Sequence, residues 1–260
     1  MKKSTNGIYY KDTGSGVPVF LVHAFPLNRR MWDEQVAALG RRYRVVAPDL
    51  RGFGESDPVS GVYAVDRMAS DLQGLMAALS IEAAVLVGLS MGGYAALAFL
   101  RLYPECVLSL VLANTRATAD SPEAREKRLK SAARAEAEGV EGVVSDMLPL
   151  LVGNQTATAR PDLVNRVREL ALSTQPATIA AAQRGMAGRP DSTSLLASIQ
   201  KPVLVVAGTD DLITSANEMT AMQGQIPGST LRIIEGSGHL SNLERPIEFN
   251  EAILDFLRSR

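Results

Sequence analysis

The sequence predicts an α/β fold: a mostly parallel central sheet with helices on both faces and an inserted helical cap. Short runs of β-branched and aliphatic residues alternate with segments of helical periodicity through most of the chain. Such continuous apolar runs are typical of strands that are buried on both faces of a parallel sheet. The alternation stops between roughly residues 116 and 200, where no strand pattern is found. The expected division is therefore a core of residues 1–115 and 201–260 and a cap of residues 116–200.

Six buried strands are predicted, each an apolar run bounded by turn residues. They are Val17–Val22, Arg44–Ala47, Ala83–Val87, Val107–Ala113, Val203–Ala207 and Thr230–Ile234. A further segment, Ile8–Lys11, favours a small antiparallel entry to the same sheet. Strands that alternate with helices in this way indicate a single α/β sheet rather than separate all-β and all-α units.

Helices are predicted where apolar residues recur every three or four positions. Those of the core are Met31–Leu39, Ala64–Leu79, Gly92–Leu102 and Ile247–Leu257, the last preceded by Pro246 at a typical helix start. About four helices are predicted in the cap: Glu123–Glu138, Val140–Leu151, Pro161–Leu172 and Pro176–Ala187.

Composition excludes several classes of protein. Of the 260 residues, 46% are hydrophobic and 21% are charged, which is ordinary globular usage and argues against disorder. The formal net charge of −1 gives no general attraction to nucleic acid or anionic lipid. The single cysteine, Cys106, cannot form an intrachain disulfide and is interpreted as a small apolar residue at a strand start.

No targeting segment or membrane span is predicted. Met1–Lys3 is followed by the polar Ser4–Gly7, where a signal peptide needs an apolar stretch. The longest uncharged run, residues 83–100, is interrupted by Gly88, Gly92 and other small residues and fits a strand, a turn and a helix better than a span. We therefore expect a soluble, cytoplasmic protein that binds neither nucleic acid nor membranes. The oligomeric state is not predicted by any residue.

The strongest chemical signal is Gly88-Leu89-Ser90-Met91-Gly92, which directly follows a predicted strand and opens a predicted helix. A G-x-S-x-G sequence in this context predicts a nucleophile elbow. The neighbours of the serine must be small so that strand and helix can approach. The turn also brings the helix N-terminus and the Met91 N–H near the reacting oxygen, where negative charge develops. The alternative is a glycine-rich turn with a buried serine.

A serine hydroxyl is a weak nucleophile and needs a base. The chain has only two histidines, and His239 lies just beyond the last predicted strand, which makes it the candidate base; His23 is the rival. The base needs a carboxylate that fixes its tautomer. Asp210 and Asp211 both follow the strand Val203–Ala207, and their position alone leaves both open as that carboxylate.

These motifs resemble those of the α/β-hydrolase superfamily, over nearly the whole chain except the helical insert. The sequence His23-Ala24-Phe25-Pro26 resembles its HG-x-P oxyanion loop. The segment Asp49–Ser56 matches its D-x-R-G-x-G-x-S signature, and Gly208-x-x-Asp211 matches its G-x-x-D. The order nucleophile, acid, base along the chain is that of this superfamily and not that of chymotrypsin or subtilisin.

The resemblance implies a role for each candidate residue. The triad is Ser90, Asp211 and His239, with Asp210 as the alternative acid. The backbone N–H groups of Phe25 and Met91 form the oxyanion hole. The supporting residues are His23, which orients its loop, and the structural residues Arg51 and Ser56. Ala24 stands where the family usually has glycine, which the loop accommodates if φ of Ala24 is negative.

The cap is expected to form a lid that lines an apolar substrate pocket over the elbow. The candidate lining residues are Trp32, Met147, Leu148, Leu151 and Met186. Plain core packing is the alternative for each of them. Neither a metal nor an organic cofactor is required for the chemistry that the triad implies.

The resulting prediction is a serine hydrolase that cleaves a small carboxylic ester through an acyl-enzyme. The HAFP loop and cap length resemble those of small carboxylesterases and 3-oxoadipate enol-lactone hydrolases, and also those of cofactor-free haloperoxidases and C–C bond hydrolases. Lactone hydrolysis and perhydrolysis are therefore alternatives. Ser90 argues against haloalkane dehalogenases and epoxide hydrolases, which use an aspartate at the elbow. A non-catalytic ligand receptor on the same fold also stays open. A dinucleotide-dependent oxidoreductase is disfavoured because no G-x-G-x-x-G appears.

Overall fold

The computed structural model describes residues 2–259, and their strands form one eight-stranded sheet. The strands are β1 Lys2–Lys3, β2 Tyr9–Thr13, β3 Pro18–Val22, β4 Arg44–Pro48, β5 Ala84–Leu89, β6 Val107–Ala113, β7 Val203–Gly208 and β8 Thr230–Ile234. Their order across the sheet is β1-β2-β4-β3-β5-β6-β7-β8. Strand β2 pairs antiparallel with β1 and β4, and the other pairs are parallel. The predicted mostly parallel sheet with an antiparallel entry is confirmed.

Helices separate the strands along the chain. The helices before β6 are α1 Asp33–Leu39, α2 Val65–Ala78 and α3 Met91–Leu102. The helices between β6 and β7 are α4 Pro122–Glu138, α5 Glu141–Leu151, α6 Asn154–Ala159, α7 Pro161–Leu172, α8 Pro176–Ala187 and α9 Thr193–Leu196. The helices after β7 are α10 Ala216–Gln223, α11 Ser241–Glu244 and α12 Pro246–Arg258. Short 3₁₀ helices span Arg29–Trp32 and Pro104–Cys106. Within residues 2–259, no helix has both the length and the apolar character needed to cross a membrane.

The central strand β5 is buried along its whole length. A strand can be buried on both faces only if helices cover both sides of the sheet. Helix α3 packs against β3, β5 and β6, and its small residues allow a close approach. The apolar run that predicted β5 therefore forms the middle of the core.

Six helices, α4 to α9, lie between β6 and β7, and the described chain has no strand among them. Four of these correspond to the predicted cap helices, and the short helices α6 and α9 were not predicted. Helix α4 packs on α8, and α5 packs on α4 and α7. Hydrogen bonds join these helices to the core: Tyr63 N–H donates to the Ala181 carbonyl at 2.9 Å, and Thr178 Oγ1 donates to the Gly52 carbonyl at 3.0 Å.

Candidate active site

Ser90 occupies the sharp turn between β5 and α3. Its backbone angles, φ 55° and ψ −115°, lie in a region that residues with a side chain rarely adopt. The turn is held by the end of the neighbouring strand, because Ser90 N–H donates to the Ala113 carbonyl at 3.0 Å and Thr115 Oγ1 donates to the Ser90 carbonyl at 2.8 Å. A strained residue that its surroundings hold in place is a mark of a functional position.

The glycines around Ser90 allow the backbones to come together. A Cβ atom on Gly92 would lie 2.1 Å from the Val22 carbonyl oxygen, and one on Gly88 would lie 2.3 Å from the Gly92 carbonyl oxygen. No side chain fits at either position without moving backbone. The G-x-S-x-G pattern therefore has a steric cause in the contact of α3 with β3 and β5.

His239 and Asp211 form a buried pair at the same edge of the sheet. The Nδ1 atom of His239 lies 2.9 Å from Oδ2 and 3.1 Å from Oδ1 of Asp211, and the residues are 1% and 5% exposed. The carboxylate accepts a hydrogen bond from the Nδ1–H group, which leaves Nε2 as the nitrogen able to take up a proton. Asp210 instead accepts a hydrogen bond from Thr209 Oγ1 at 2.9 Å. The structure thus pairs His239 with Asp211 and not with Asp210.

The Asp211 carboxylate receives several further hydrogen bonds. Thr214 Oγ1 donates to Oδ2 at 2.6 Å, and the N–H groups of Ile213 and Thr214 donate to Oδ1 at 2.8 and 3.0 Å. Burial by itself would raise the pKa of Asp211, but the charge and hydrogen bond of His239 and the bonds from Thr214 hold that pKa well below its usual range. Asp211 is therefore an anion throughout the physiological pH range.

Asn114, which directly follows β6, is a site residue that sequence reasoning missed. Its Nδ2 donates to Asp211 Oδ2 at 2.9 Å, while its Oδ1 accepts from Ser241 Oγ at 2.6 Å. Ser241 therefore fixes the orientation of the amide with its donor side toward the acid. Asn114 has φ 45°, a conformation that asparagine tolerates better than most residues. An asparagine directly after the strand next to the elbow strand was the available signal.

The backbone N–H groups of Phe25 and Met91 are the candidate oxyanion hole. Among residues 2–259, neither group donates a hydrogen bond within the protein, and that of Met91 is at the N-terminus of α3, where the helix leaves its first N–H groups unpaired. The loop that carries Phe25 is held by Ala24, whose carbonyl accepts from Leu27 N–H at 2.9 Å. Ala24 is not among the described residues with positive φ, so alanine is accommodated here in place of glycine.

His23 joins this loop to the turn after β4. The Leu50 N–H donates to His23 Nε2 at 3.0 Å, so Nδ1 carries the proton and donates to the Ala24 carbonyl at 3.0 Å. The ring is fully buried and packs edge-on against Phe53. Burial lowers the pKa of His23, and the hydrogen bond from Leu50 requires the neutral ring. His23 is thus placed to orient its loop, and its Nε2 is already occupied.

The residues of the D-x-R-G-x-G-x-S segment hold loops in place. The buried Asp49 carboxylate accepts from the Arg29 N–H at 2.8 Å and pairs with the Arg29 guanidinium. Ser56 Oγ donates to the Asp49 carbonyl at 2.6 Å. Arg51 binds the Asp71 carboxylate through Nε at 2.9 Å and Nη2 at 2.8 Å. Arg51 and Ser56 therefore lie in structural networks.

The proposed pocket residues lie in different places. Trp32 is fully buried, and its ring centroid lies 5.9 Å from that of Phe249. Met147 lines a cleft of about 430 Å³ whose walls come only from α4, α5 and α8. The Met186 sulfur accepts a hydrogen bond from Arg128 at 3.6 Å.

Leu148 and Leu151 lie on α5, where both are buried. The Leu151 carbonyl accepts from Leu240 N–H, next to His239, at 3.1 Å. Of the five proposed residues, Leu151 thus has a hydrogen bond to the His239 loop, whereas Met147 lies at a cleft that none of the three candidate triad residues lines.

The described side chains bring a serine hydroxyl, an imidazole and a carboxylate to one edge of the sheet. Among residues 2–259 no group of three or more His, Cys, Asp or Glu side chains is arranged to hold a metal ion. The parallel pairing of β5 with β6, β6 with β7 and β7 with β8 brings the loops that carry Ser90, Asp211 and His239 to the same edge. Such an arrangement suits acyl transfer.

Comparison with known proteins identifies the family. The family model described as the alpha/beta hydrolase fold matches residues 17–246. The structure of a thermophilic esterase from Thermogutta terrifontis, with malate bound, has a TM-score of 0.96 and 44% identity, covering 97% of this chain and 93% of that one.

Two relatives are named for different activities. The 3-oxoadipate enol-lactonase 1 of Acinetobacter baylyi is 33% identical over 88% of this chain and 84% of its own length. A non-heme chloroperoxidase of Kitasatospora aureofaciens is 30% identical over 96% of this chain and 95% of its own length. Relatives that are named for different activities thus each align with most of this chain.

Proposed function

The chain belongs to the alpha/beta-hydrolase family, and on that basis we propose that it is a serine hydrolase that cleaves a small carboxylic ester. The observation that carries the proposal is the buried hydrogen bond between His239 and Asp211, at the edge of the sheet where Ser90 occupies a strained turn. The 44% identity with the Thermogutta terrifontis esterase favours an ester over other acyl substrates.

In the proposed reaction, His239 Nε2 takes the proton of Ser90 Oγ as that oxygen attacks the ester carbonyl carbon. The N–H groups of Phe25 and Met91 donate to the oxyanion, and such a donor contributes about 10²- to 10³-fold to turnover. The tetrahedral intermediate collapses, the C–O bond to the alcohol breaks, and the alcohol leaves with the proton from His239. Water, deprotonated by His239, then hydrolyses the acyl-enzyme.

Asp211 remains an anion during these steps, because the charge of His239 and the hydrogen bonds from His239 and Thr214 hold its pKa well below the usual range in spite of its burial. The negative charge stabilises the imidazolium of His239 that forms in each half-reaction. The cap, residues 116–200, is proposed to cover the substrate as a lid. Among the pocket candidates, Leu151 accepts a hydrogen bond from the His239 loop, and Leu148 lies one helical turn before it on α5.

Lactone hydrolysis is the second candidate, and the 33% identity with the Acinetobacter baylyi enol-lactonase favours it. The same attack on a cyclic ester yields an acyl-enzyme with the alcohol still attached, so the site chemistry is unchanged. The similarity to a non-heme chloroperoxidase favours a test of perhydrolysis, in which hydrogen peroxide replaces water in deacylation.

A panel of p-nitrophenyl esters of increasing acyl length, assayed beside a panel of lactones, tests the proposal. We expect turnover of short esters, and a drop of about 10³-fold or more in the Ser90→Ala variant. The control variant is Ser70→Ala, on the exposed side of α2, which should retain wild-type turnover. Near-normal hydrolysis by Ser90→Ala contradicts the serine mechanism. A large preference for lactones favours the second candidate, and binding without sustained turnover favours a ligand receptor.

A further inference from the structure

Glu244 is a buried carboxylate that the proposed reaction does not use. It is the last residue of α11, five positions after His239, and is 1% exposed. Burial of a carboxylate is costly unless its oxygens are hydrogen-bonded. A hydrophobic residue could fill the same volume, so the role of the carboxylate lies in the two groups that donate hydrogen bonds to it.

Both groups are backbone amides. Gly238 N–H donates to Glu244 Oε1 at 3.0 Å, and Gly153 N–H donates to Glu244 Oε2 at 3.0 Å. Gly238 directly precedes His239 in the chain, and Gly153 directly precedes α6 between β6 and β7. The side chain thus joins the His239 loop to the inserted helices.

The two glycines are in contact with each other. A Cβ atom on Gly238 would lie 2.3 Å from the Gly153 nitrogen, so no side chain fits between the two backbones. A second bond lies beside this contact, from Leu240 N–H to the Leu151 carbonyl at 3.1 Å. We call the set of Gly153, Gly238 and Glu244 the carboxylate clasp.

We infer that Glu244 is a positioning residue: the carboxylate clasp fixes the loop that carries His239 and so keeps the imidazole aligned with Asp211 and Ser90. The inference rests on the proposed hydrolase function. Loss of the carboxylate leaves buried N–H groups without an acceptor, and the loop must shift to satisfy them. A displacement of the general base by about 1 Å costs about a hundredfold in rate, even when the substituted residue that causes it is remote from the substrate.

The Glu244→Gln variant tests this. Its amide offers one oxygen acceptor, and its NH₂ group faces the second N–H, so the volume is kept and one bond is lost. We expect kcat on a short p-nitrophenyl ester to fall by about ten- to a hundredfold, while KM stays within about threefold. Glu251→Gln, an exposed charge-matched change on α12, should keep the wild-type kcat.

A second variant leaves Glu244 in place. Gly153 has φ −63°, which alanine adopts readily, and the new Cβ would lie 3.0 Å from Gly238 N and 3.2 Å from Glu244 Oε2. The added methyl group in Gly153→Ala should therefore displace Gly238 and the Glu244 carboxylate slightly. We expect kcat to fall severalfold, with the melting temperature almost unchanged. It keeps the test decisive if Glu244→Gln does not fold.

Imidazole NMR gives a readout that needs no substrate. The chain has two histidines, and the Nδ1–H protons of both donate hydrogen bonds, so His23 is an internal reference for His239. We expect the His239 resonance to shift or broaden in both clasp variants and that of His23 to stay unchanged. An unchanged kcat and His239 resonance in the folded variants overturns the positioning role and leaves the hydrolase proposal intact. If instead hydrolysis proves independent of Ser90, the hydrolase proposal fails, and the His239 resonance alone decides the positioning role.

Discussion

Asn114 donates a hydrogen bond of 2.9 Å to the carboxylate of Asp211, so the residue after β6 orients the acid that follows β7. The amide cannot turn away, because Ser241 Oγ donates to its oxygen at 2.6 Å. The candidate acid is therefore held by three separate parts of the chain: its own loop, the end of β6 and the His239 loop.

Replacement of Asn114 by glycine should lower kcat/KM about ten- to a hundredfold. A hydrogen bond to a charged group contributes about 1.5–3 kcal/mol, and glycine keeps the positive φ without strain. Steady-state kinetics on a short ester measure the change. Asn114→Ala removes the same bond and adds backbone strain, so it should match Asn114→Gly in activity and melt lower. Wild-type kinetics in Asn114→Gly would show that the bond is unimportant.

The neighbouring aspartates provide a matched pair of variants. Asp211→Asn should lower kcat by about 10⁴-fold, because an amide facing His239 Nδ1 favours the wrong tautomer. Asp210→Asn should retain activity within about twofold, since the Asp210 carboxylate accepts a hydrogen bond from Thr209 rather than from His239. Both variants are assayed at neutral pH with the same ester. Equal losses in the two would contradict the assignment of the acid.

The glycine after Met91 should not tolerate alanine. A Cβ on Gly92 would lie 2.1 Å from the Val22 carbonyl oxygen, and such overpacking costs about 3 kcal/mol, or a fall of about 6–12 °C in Tm. Activity should fall with it, because α3 can no longer reach the sheet. Gly224→Ala is the control: it has φ −59°, and its nearest contact would be 3.6 Å. A Gly92→Ala protein with normal Tm and activity would refute the steric argument.

His23 should make the protein acid-labile. Burial lowers the pKa of His23 below its ordinary value of 6.5, so protonation favours the unfolded chain. The associated stability is fully present above about pH 6.5 and is lost as the pH falls from there toward the lower folded value. The free energy of unfolding, measured in urea between pH 7.5 and 5, should fall by up to about 1.4 kcal/mol per pH unit from this group.

The titration of the His23 ring tests the same point directly. Its NMR signals should remain those of the neutral imidazole through pH 6.5, because Leu50 N–H donates to Nε2. A midpoint at or above 6.5 would contradict the assigned tautomer. The stability measurement distinguishes this effect from that of Asp211, because the stability that comes from the lowered pKa of Asp211 is fully present above about pH 4 and is lost only in more acidic solution.

The fold was predictable from sequence where one local signal was strong. The strands Val107–Ala113 and Thr230–Ile234 agree with the predicted bounds. The predicted burial of Thr230–Ile234 is wrong, because this strand lies at the edge of the sheet and is largely exposed. The predicted helix Met31–Leu39 is instead a 3₁₀ turn followed by α1. Helices α10 and α11 were missed, and α11 is only four residues long.

The site was predictable only in part. Motif residues are recognised from their neighbours in the sequence, whereas the residues that hold them in place are distant in the sequence. Ser90, Asp211 and His239 carry family patterns, and their place in the mechanism stays a prediction. Asn114 lies 97 residues from Asp211 in the chain, and Glu244 lies 91 residues from Gly153. Their contacts follow from the pairing of neighbouring strands and from the docking of the inserted helices, which periodicity does not reveal.

Thr174 Oγ1 donates a hydrogen bond to the Pro26 carbonyl at 2.8 Å, so a second part of the inserted segment is bound to the loop of Phe25, while Gly153 is bound to the His239 loop through Glu244. A chimera that takes residues 116–200 from a relative would exchange both attachments along with the proposed lid over the substrate. Poor activity in such a chimera would then reflect misplaced core loops rather than an unsuitable pocket. Grafts that retain Gly153 and Thr174 are the ones in which a change of substrate preference can be read as specificity.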